Sequence, residues 1–184
     1  MTAFRSHSLA VAGLALVVCT MGAGAADAQV EFTHSVASGD PRPNSVVLWT
    51  RVQAPDGGDL PRSLGLEVAT DEGFQNPVVS RVVDVDPQYD GVVKVRVDGL
   101  QPYTTYWYRF GVGFVSSPTG RTRTAPSPND PRPIRYAVVY CQDFVGRWFN
   151  SYAKLLQEHD EDIDFFVQLG DVVYETTGDP GFQD

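Results

Sequence analysis

The sequence predicts a two-part α+β chain, in which a β-sandwich is followed by the start of an α/β domain. Three observations support this prediction. Short alternating segments separated by turn residues fill positions 31–124. A proline-rich stretch follows at 125–133, and beyond it the pattern changes to strand, amphipathic helix and strand. A chain of 184 residues is long enough for one ordinary domain or two small ones.

Residues 1–28 have the layout of a secretory signal peptide. Arg5 is the only charged residue before Asp27, an apolar run occupies 9–18, and Ala-Asp-Ala at 26–28 offers a cleavage site. The run is too short for a membrane span, which needs about 20 apolar residues. We therefore predict an exported chain, periplasmic or extracellular, with no membrane span once the signal peptide is removed.

Cysteine content and charge restrict the function further. Cleavage would remove Cys19 and leave Cys141 alone, so the mature chain could form no internal disulfide. Cys141 is then a buried spectator, an intermolecular linker or a functional thiolate. The net charge of −9 argues against nucleic acid as a stable partner, because the mean field repels phosphate. We expect a monomer.

Seven segments between residues 32 and 124 read as short strands. They alternate apolar and polar residues and are separated by breakers such as Gly-Asp-Pro at 39–41. Seven short strands without helical periodicity are typical of a sandwich. The predicted strands are 32–38, 45–51, 65–70, 78–85, 91–97, 104–110 and 120–124.

One local motif sharpens the sandwich prediction. Residues 100–106 read Leu-x-Pro-x-Thr-x-Tyr, which resembles the tyrosine corner of fibronectin type III modules. In that motif the ring of Tyr106 would pack in the core while its hydroxyl turns back to the backbone. Tyr106, Tyr108 and Phe110 share one face of the strand, and we expect them to pack in the core rather than form a binding strip.

The second part begins after the extended linker at 125–133. Residues 134–140 and 164–169 read as apolar strands, and a helix between them is predicted to run from about 148 to His159. Strand, helix and strand form a βαβ unit whose strands should be parallel. One such unit cannot bury its apolar faces alone. We therefore expect the N-terminal portion of a longer protein, or a truncated product.

Three side chains follow the two predicted strands of this unit. Cys141 comes after the first, Asp171 after the second, and Tyr174 three residues later. Ligands of parallel sheets bind at the carboxyl ends of the strands. Thiolate, carboxylate and phenolate together suit a trivalent or borderline-soft metal. Taken singly, each has a structural interpretation as a buried hydrophobe, a turn cap or a core aromatic.

These motifs resemble the alkaline phosphatase D (PhoD-like) family, a branch of the calcineurin-like metallophosphoesterases. The resemblance rests on Tyr-Cys-Gln at 140–142, Gly-Asp-Val-Val-Tyr-Glu at 170–175, and His-Ser-Val-Ala-Ser-Gly-Asp-Pro at 34–41 with Val-Leu-Trp-Thr-Arg at 47–51. It implies a fibronectin III/Ig-like sandwich at 30–124. It also implies the first, incomplete βαβ unit of a metallophosphatase domain at 134–184.

The same resemblance implies a site and a reaction. Cys141 and Tyr174 would bind iron(III), and Asp171 would bridge iron and calcium. The substrate would be a phosphate ester, hydrolysed with metal assistance. The charge of the ions would also explain how an acidic chain attracts phosphate.

The chain departs from the family pattern at several positions. Tyr140 replaces a small residue, and Asp143 replaces an Asn and is expected to cap the next helix. His34 and His159 match no ligand motif, and the remaining family ligands would lie beyond residue 184. With only part of its ligands, the site is expected to bind metal poorly and to be inactive.

Two other functions stay open. The chain could be a non-enzymatic truncated product whose sandwich acts as a binding module. A cysteine-nucleophile hydrolase would need a histidine base near Cys141, and the second part offers only His159 at the far end of the helix.

Overall fold

The computed structural model describes residues 30–142, 144, 148–172 and 174, and the predicted signal peptide with Cys19 lies outside them. Two short 3-10 turns, Pro55–Gly57 and Pro87–Tyr89, occur in the connections of the first part. The strands of the first part are β1 Val36–Arg42, β2 Ser45–Arg51, β3 Ser63–Ala69, β4 Pro77–Asp84, β5 Val92–Asp98, β6 Thr105–Val112, β7 Val115–Ser116 and β8 Gly120–Arg123. The second part contains β9 Tyr136–Val139, α1 Asn150–His159 and β10 Phe165–Gln168.

The first part is a β-sandwich of two antiparallel sheets. One sheet has the order β1-β2-β5, and the other has β4-β3-β6 with both β7 and β8 paired to β6. If β1 to β6 are lettered A, B, C, C′, E and F in chain order and β8 is lettered G, the two sheets are A-B-E and C′-C-F-G, which is the strand order of a fibronectin type III module. The predicted sandwich is therefore confirmed by its topology.

Alternation of side chains builds the core of this sandwich. In β2, Val46, Leu48 and Thr50 are buried, whereas the residues between them are only half-buried. Successive side chains of a strand point to opposite faces, so each sheet turns every second residue toward the other. The buried apolar cluster consists of Val30, Val46, Leu48, Val52, Leu64, Leu66, Val68, Val83, Val85, Val93, Val97, Leu100, Tyr106, Tyr108 and Phe110.

The tyrosine corner is present. The hydroxyl of Tyr106 accepts a hydrogen bond of 2.9 Å from the backbone N–H of Gln101, while its ring is 2% exposed. Tyr108 packs edge-on against Phe110 with ring centroids 6.4 Å apart. Burial raises the pKa of Tyr108 to about 12, against an opposing hydrogen bond with Ser38. The predicted core role of these aromatic rings is confirmed.

The first strand differs from the prediction. Residues 32–35 form a turn, with Ser35 N–H donating to the carbonyl of Phe32, and β1 starts at Val36. The predicted break at 39–41 lies inside β1, where the register shifts between Gly39 and Arg42. A β-bulge absorbs the positive φ of Asp40, and proline is tolerated because β1 is an edge strand.

Strand β7 was not predicted. It pairs with the last two residues of β6 through a tight hairpin at 112–115, where Gly113 has a φ of +56°. A strand of two residues is too short to show alternation in the sequence, so the prediction ended β6 at residue 110.

The second part has the predicted strand–helix–strand order. Strands β9 and β10 pair in parallel, with Phe165 opposite Tyr136 and Gln168 opposite Val139. Helix α1 ends at His159, as predicted, but begins at Asn150 because Trp148 and Phe149 adopt positive φ angles. No residue of these three elements is buried. Within the described part of the chain, no helix is long and apolar enough to cross a membrane.

Candidate metal centre

The parallel pairing of β9 and β10 brings the predicted site residues to one edge of the sheet. Leu169 N–H donates to the carbonyl of Val139 at 2.9 Å, and Cys141 N–H donates to that of Gly170 at 3.3 Å. These two bonds extend the ladder beyond the strands. Cys141 and Asp171 therefore emerge side by side, as expected for the carboxyl ends of parallel strands.

Cys141 and Asp171 are in direct contact. The Sγ thiol of Cys141 donates to Asp171 Oδ2 at 3.3 Å. Both residues are exposed and, with Tyr140, Leu169 and Gly170, line an open cleft of about 280 Å³. Exposure of Cys141 in this structure argues against its interpretation as a buried spectator.

Tyr174 joins the same cluster. Hydrogen bonding with Cys141, then desolvation, then hydrogen bonding with Asp171 raise the pKa of the Tyr174 phenol above its ordinary value. The negative charge of Asp171 acts in the same direction. The structure thus brings together all three side chains that the sequence singled out.

Cys141 and Asp171 both adopt strained backbone conformations. Cys141 has a φ of +49° and Asp171 a φ of +52°, both in the left-handed region. Gly170 has a φ of +133°, which only glycine adopts readily. Each non-glycine residue held there costs about 1–3 kcal/mol, and such strain is concentrated at functional sites.

Gln168 supports the turn, although no sequence motif points to it. Its Nε2 donates to the carbonyl of Gly170 at 3.1 Å, the same oxygen that accepts from Cys141 N–H. Its Oε1 is buried without a hydrogen-bond partner. The sequence feature that could have identified Gln168 is its polar side chain in the otherwise apolar segment Phe-Phe-Val-Gln-Leu at 165–169.

Aromatic side chains lie between β9 and α1, on the carboxyl side of Cys141. Phe144 packs edge-on against Trp148 at 5.1 Å and contacts Phe149 at 5.5 Å, and Phe149 contacts Tyr152. The helical spacing of the sequence predicts that Trp148 and Phe149 belong to the helix. Both lie before it, and the carbonyl of Phe149 accepts the first helical N–H groups.

The two described histidines lie elsewhere. His34 is in the turn before β1 rather than in the first strand, where Nε2 is 3.1 Å from Arg51 Nη1. His159 closes α1, with Nδ1 3.6 Å from Asp162 Oδ2. Asp143, predicted as a helix cap, lies outside the described residues.

The donor set fits a metal ion in chemical type but does not complete a coordination shell. Cys141, Asp171 and Tyr174 offer sulfur, carboxylate and phenolate. Cys141 contacts Asp171 directly, and hydrogen bonding with both residues raises the pKa of the Tyr174 phenol, so the three side chains are neighbours. Across residues 30–142, 144, 148–172 and 174, no three His, Cys, Asp or Glu side chains form a potential metal cluster. Further ligands would be needed for tight binding.

Comparison with known proteins identifies the family. A family model described as "PhoD-like phosphatase, N-terminal domain" matches residues 19–126. The chain belongs to this family. The match includes the whole PhoD-like sandwich, from β1 to β8, and begins within the predicted signal peptide.

Two PhoD relatives match more of the chain than the sandwich. Alkaline phosphatase D of Bacillus subtilis (strain 168) is 39% identical over 151 residues, which cover 78% of this chain and 25% of that protein. A solved structure described as "Structure of PhoD" matches with a TM-score of 0.70 and 37% identity, covering 78% of this chain and 28% of the other. The chain thus spans about a quarter of the length of the curated relative.

A fibronectin type III domain gives a weaker match. The fn3 domain of human contactin 1 is 18% identical with a TM-score of 0.42, covering 71% of this chain and 99% of that domain. Similarity at this level adds nothing to the fold assignment, which rests on the strand order.

Proposed function

We propose that this chain is the N-terminal part of an exported, metal-dependent phosphoric ester hydrolase of the PhoD type. The observation that carries the proposal is the clustering of Cys141, Asp171 and Tyr174, the first two of which line one cleft. Their chemistry suits a metal that activates phosphate esters. The relationship to alkaline phosphatase D supplies the reaction class.

The three clustered residues have distinct proposed tasks. Cys141 and Tyr174 would hold iron(III), and Asp171 would bridge iron and calcium. When bound, these ions would supply the positive charge that an acidic chain lacks for binding phosphate oxygens. Gly170 and Gln168 hold the turn that aims the Asp171 carboxylate into the cleft.

The extent of the similarity supports placing β9, α1 and β10 in a metallophosphoesterase domain. Residues 1–133 make up less than 78% of the chain, so both PhoD matches extend beyond the linker. The region shared with alkaline phosphatase D therefore includes part of the candidate site and is not confined to the sandwich.

A non-enzymatic role of the chain by itself is the second candidate. The apolar core of the described chain lies in the sandwich, whereas β9, α1 and β10 bury no residue. A sandwich with its own core could act alone as a binding module. The experiment below distinguishes the two functions.

The test uses protein expressed from the complete reading frame that contains these residues. Metal analysis is combined with calcium-dependent hydrolysis of p-nitrophenyl phosphate and bis-p-nitrophenyl phosphate, and the mass of the secreted product locates the cleavage site. We expect bound iron, hydrolysis and an amino terminus near Gln29.

Substitutions test the assignment of the ligands. Loss of a partner of a metal ligand already costs about 10- to 100-fold, so Cys141→Ser, Asp171→Asn and Tyr174→Phe should each cost at least about 100-fold in activity and lose iron. His159→Ala, at an exposed ion pair of α1, is the matched control and should retain both. A protein without iron and without calcium-dependent hydrolysis would eliminate the enzyme and leave the binding module.

A further inference from the structure

Polar contacts, rather than a shared core, join the second part of the chain to the sandwich. Among the described residues, the buried apolar cluster contains no member of β9, α1 or β10. Two arginines of β8 reach the second part instead. Gly120 and Thr122 of β8 are buried, so Arg121 and Arg123 project from the opposite, outer face of the strand.

Arg121 binds the end of helix α1. Its Nη2 lies 2.7 Å from Asp160 Oδ1 and also donates to the Asp160 carbonyl at 2.9 Å. Its Nη1 lies 2.5 Å from Glu161 Oε1. One guanidinium therefore binds two carboxylates and a main-chain carbonyl at the helix C-terminus, where positive charge is favoured.

Arg123 binds Asp164, the residue immediately before β10. Arg123 Nη1 lies 2.8 Å from Asp164 Oδ1, and Arg123 Nε donates to Thr105 Oγ1 of β6 at 3.1 Å. The Asp164 side chain is only 10% exposed. The guanidinium is thus fixed from the sandwich side while it holds a carboxylate of the second part.

Asp164 also connects the two parallel strands at their amino ends. Its Oδ2 accepts from Arg135 N–H at 3.0 Å, and its own N–H donates to the Arg135 carbonyl at 2.8 Å. Burial raises the pKa of Asp164, but hydrogen bonds from Arg135 and Arg123 outweigh burial and hold it below its ordinary value. A single carboxylate thereby ties β8 to the starts of both β9 and β10.

The linker is fixed at the same point. The ring of Tyr103 lies under Arg132 at 3.7 Å and near Arg123 at 5.2 Å, and Arg132 pairs with Asp130 at 2.8 Å. Cation–π contacts of this kind hold the chain between the two parts against the sandwich surface.

We propose that the Arg123–Asp164 pair, assisted by Arg121, is an inter-unit clamp through which the sandwich positions β10. The clamp acts at the amino end of β10, and Asp171 follows the carboxyl end of the same strand. The sandwich is then a positioning platform for the candidate site. The clamp depends only on contacts between described residues, so it stands or falls independently of the proposed hydrolase.

The test is NMR on the whole chain, with residual dipolar couplings and ¹⁵N relaxation measured separately for residues 36–123 and 136–168. In the unmodified chain both parts should share one alignment tensor and one rotational correlation time. Arg123→Ala should lower the ratio of docked to undocked molecules by about tenfold, since partly buried pairs contribute more than exposed ones. Arg123→Lys should restore part of the docking.

Asp164→Asn provides a second measurement, because it keeps an acceptor for Arg135 N–H but loses the charge. Combined with Arg123→Ala in a double-mutant cycle, it should add little further loss. Hydrogen exchange at the Arg135 and Asp164 amides reports whether the parallel pair itself persists.

Arg109→Ala is the matched control. Arg109 pairs with Glu67 at 2.6 Å, and both residues belong to strands of the sandwich, so docking should not change. The clamp is overturned if the unmodified chain already tumbles as two bodies or if residues 136–168 give no dispersed signals. It is also overturned if Arg123→Ala leaves the ratio of docked to undocked molecules unchanged.

Discussion

Gly120 shows how a single missing side chain sets the packing of the sandwich. A Cβ built at this position would lie 2.4 Å from Tyr108 Cζ and 2.7 Å from its hydroxyl oxygen. Tyr108 is one of the largest buried residues, so it has no room to move aside. Glycine is required here by close approach and not by a positive φ.

We therefore expect Gly120→Ala to lower the free energy of unfolding by about 1–3 kcal/mol through overpacking. Urea denaturation monitored by fluorescence measures the change. Gly39→Ala is the control, because a Cβ there meets nothing within 4 Å, and it should stay within about 0.5 kcal/mol. Equal effects of the two substitutions would contradict the packing argument.

The meeting of Cys141 and Asp171 could be predicted from sequence because strand order alone determines it. Both residues follow apolar segments of a βαβ pattern, and parallel strands end at the same edge. The hydrogen bonds of Tyr174 and the support from Gln168 could not be predicted. They depend on side-chain directions after a left-handed turn, which the residue types do not specify.

At the scale of elements, the prediction succeeded where local pattern and burial agree. Strand β2 spans Ser45–Arg51 as predicted, because it is central and alternates without interruption. The prediction of β1 was wrong at both ends, because an edge strand tolerates proline and a bulge. The contacts of Arg121 and Arg123 with the second part could not be predicted from the sequence, since arginines on an outer strand face usually contact only solvent.

The contact between β8 and the start of β10 should respond to acid. The pKa of Asp164 is lower in the folded chain than the unfolded value of about 3.9. Its contribution to docking is therefore complete above that value and is lost as the pH falls through the lower, folded pKa. The facing groups are Arg123, Tyr103 and the Arg135 amide, with Arg121, Asp160, Glu161 and Asp162 nearby.

We expect the Arg135 amide resonance to follow this loss below about pH 4, and Asp164→Asn to abolish the pH response. Asp71→Asn is the control. Asp71 also has a lowered pKa, because the backbone amides of Gln75 and Asn76 bind its carboxylate, but it lies in a turn of the sandwich. A docking response that persists in Asp164→Asn would assign the effect to another group.

At the scale of the whole molecule, the two parts of the chain differ in how many apolar residues they bury. The 15 residues of the apolar cluster belong to the sandwich, and the parallel pair of the second part buries none. Stability differs between regions according to their buried apolar contacts. Polar contacts at the junction cannot replace a core, because they bury little apolar surface and the exposed ion pairs among them contribute only about 0–1 kcal/mol each.

We therefore expect two unfolding steps as urea is raised, with β9, α1 and β10 lost first. Hydrogen exchange should show the amides of β2 and β6 protected beyond the first step and those of α1 exchanging before it. Tyr106→Phe, which removes the acceptor of Gln101 N–H, should shift only the second step. A single transition that includes all elements would contradict this division.

The irregular edge of β1 has a consequence for association between chains. Its register breaks between Gly39 and Arg42, and Pro41 has no N–H to offer an incoming strand. The sandwich therefore cannot easily template the growth of intermolecular β-structure along that side.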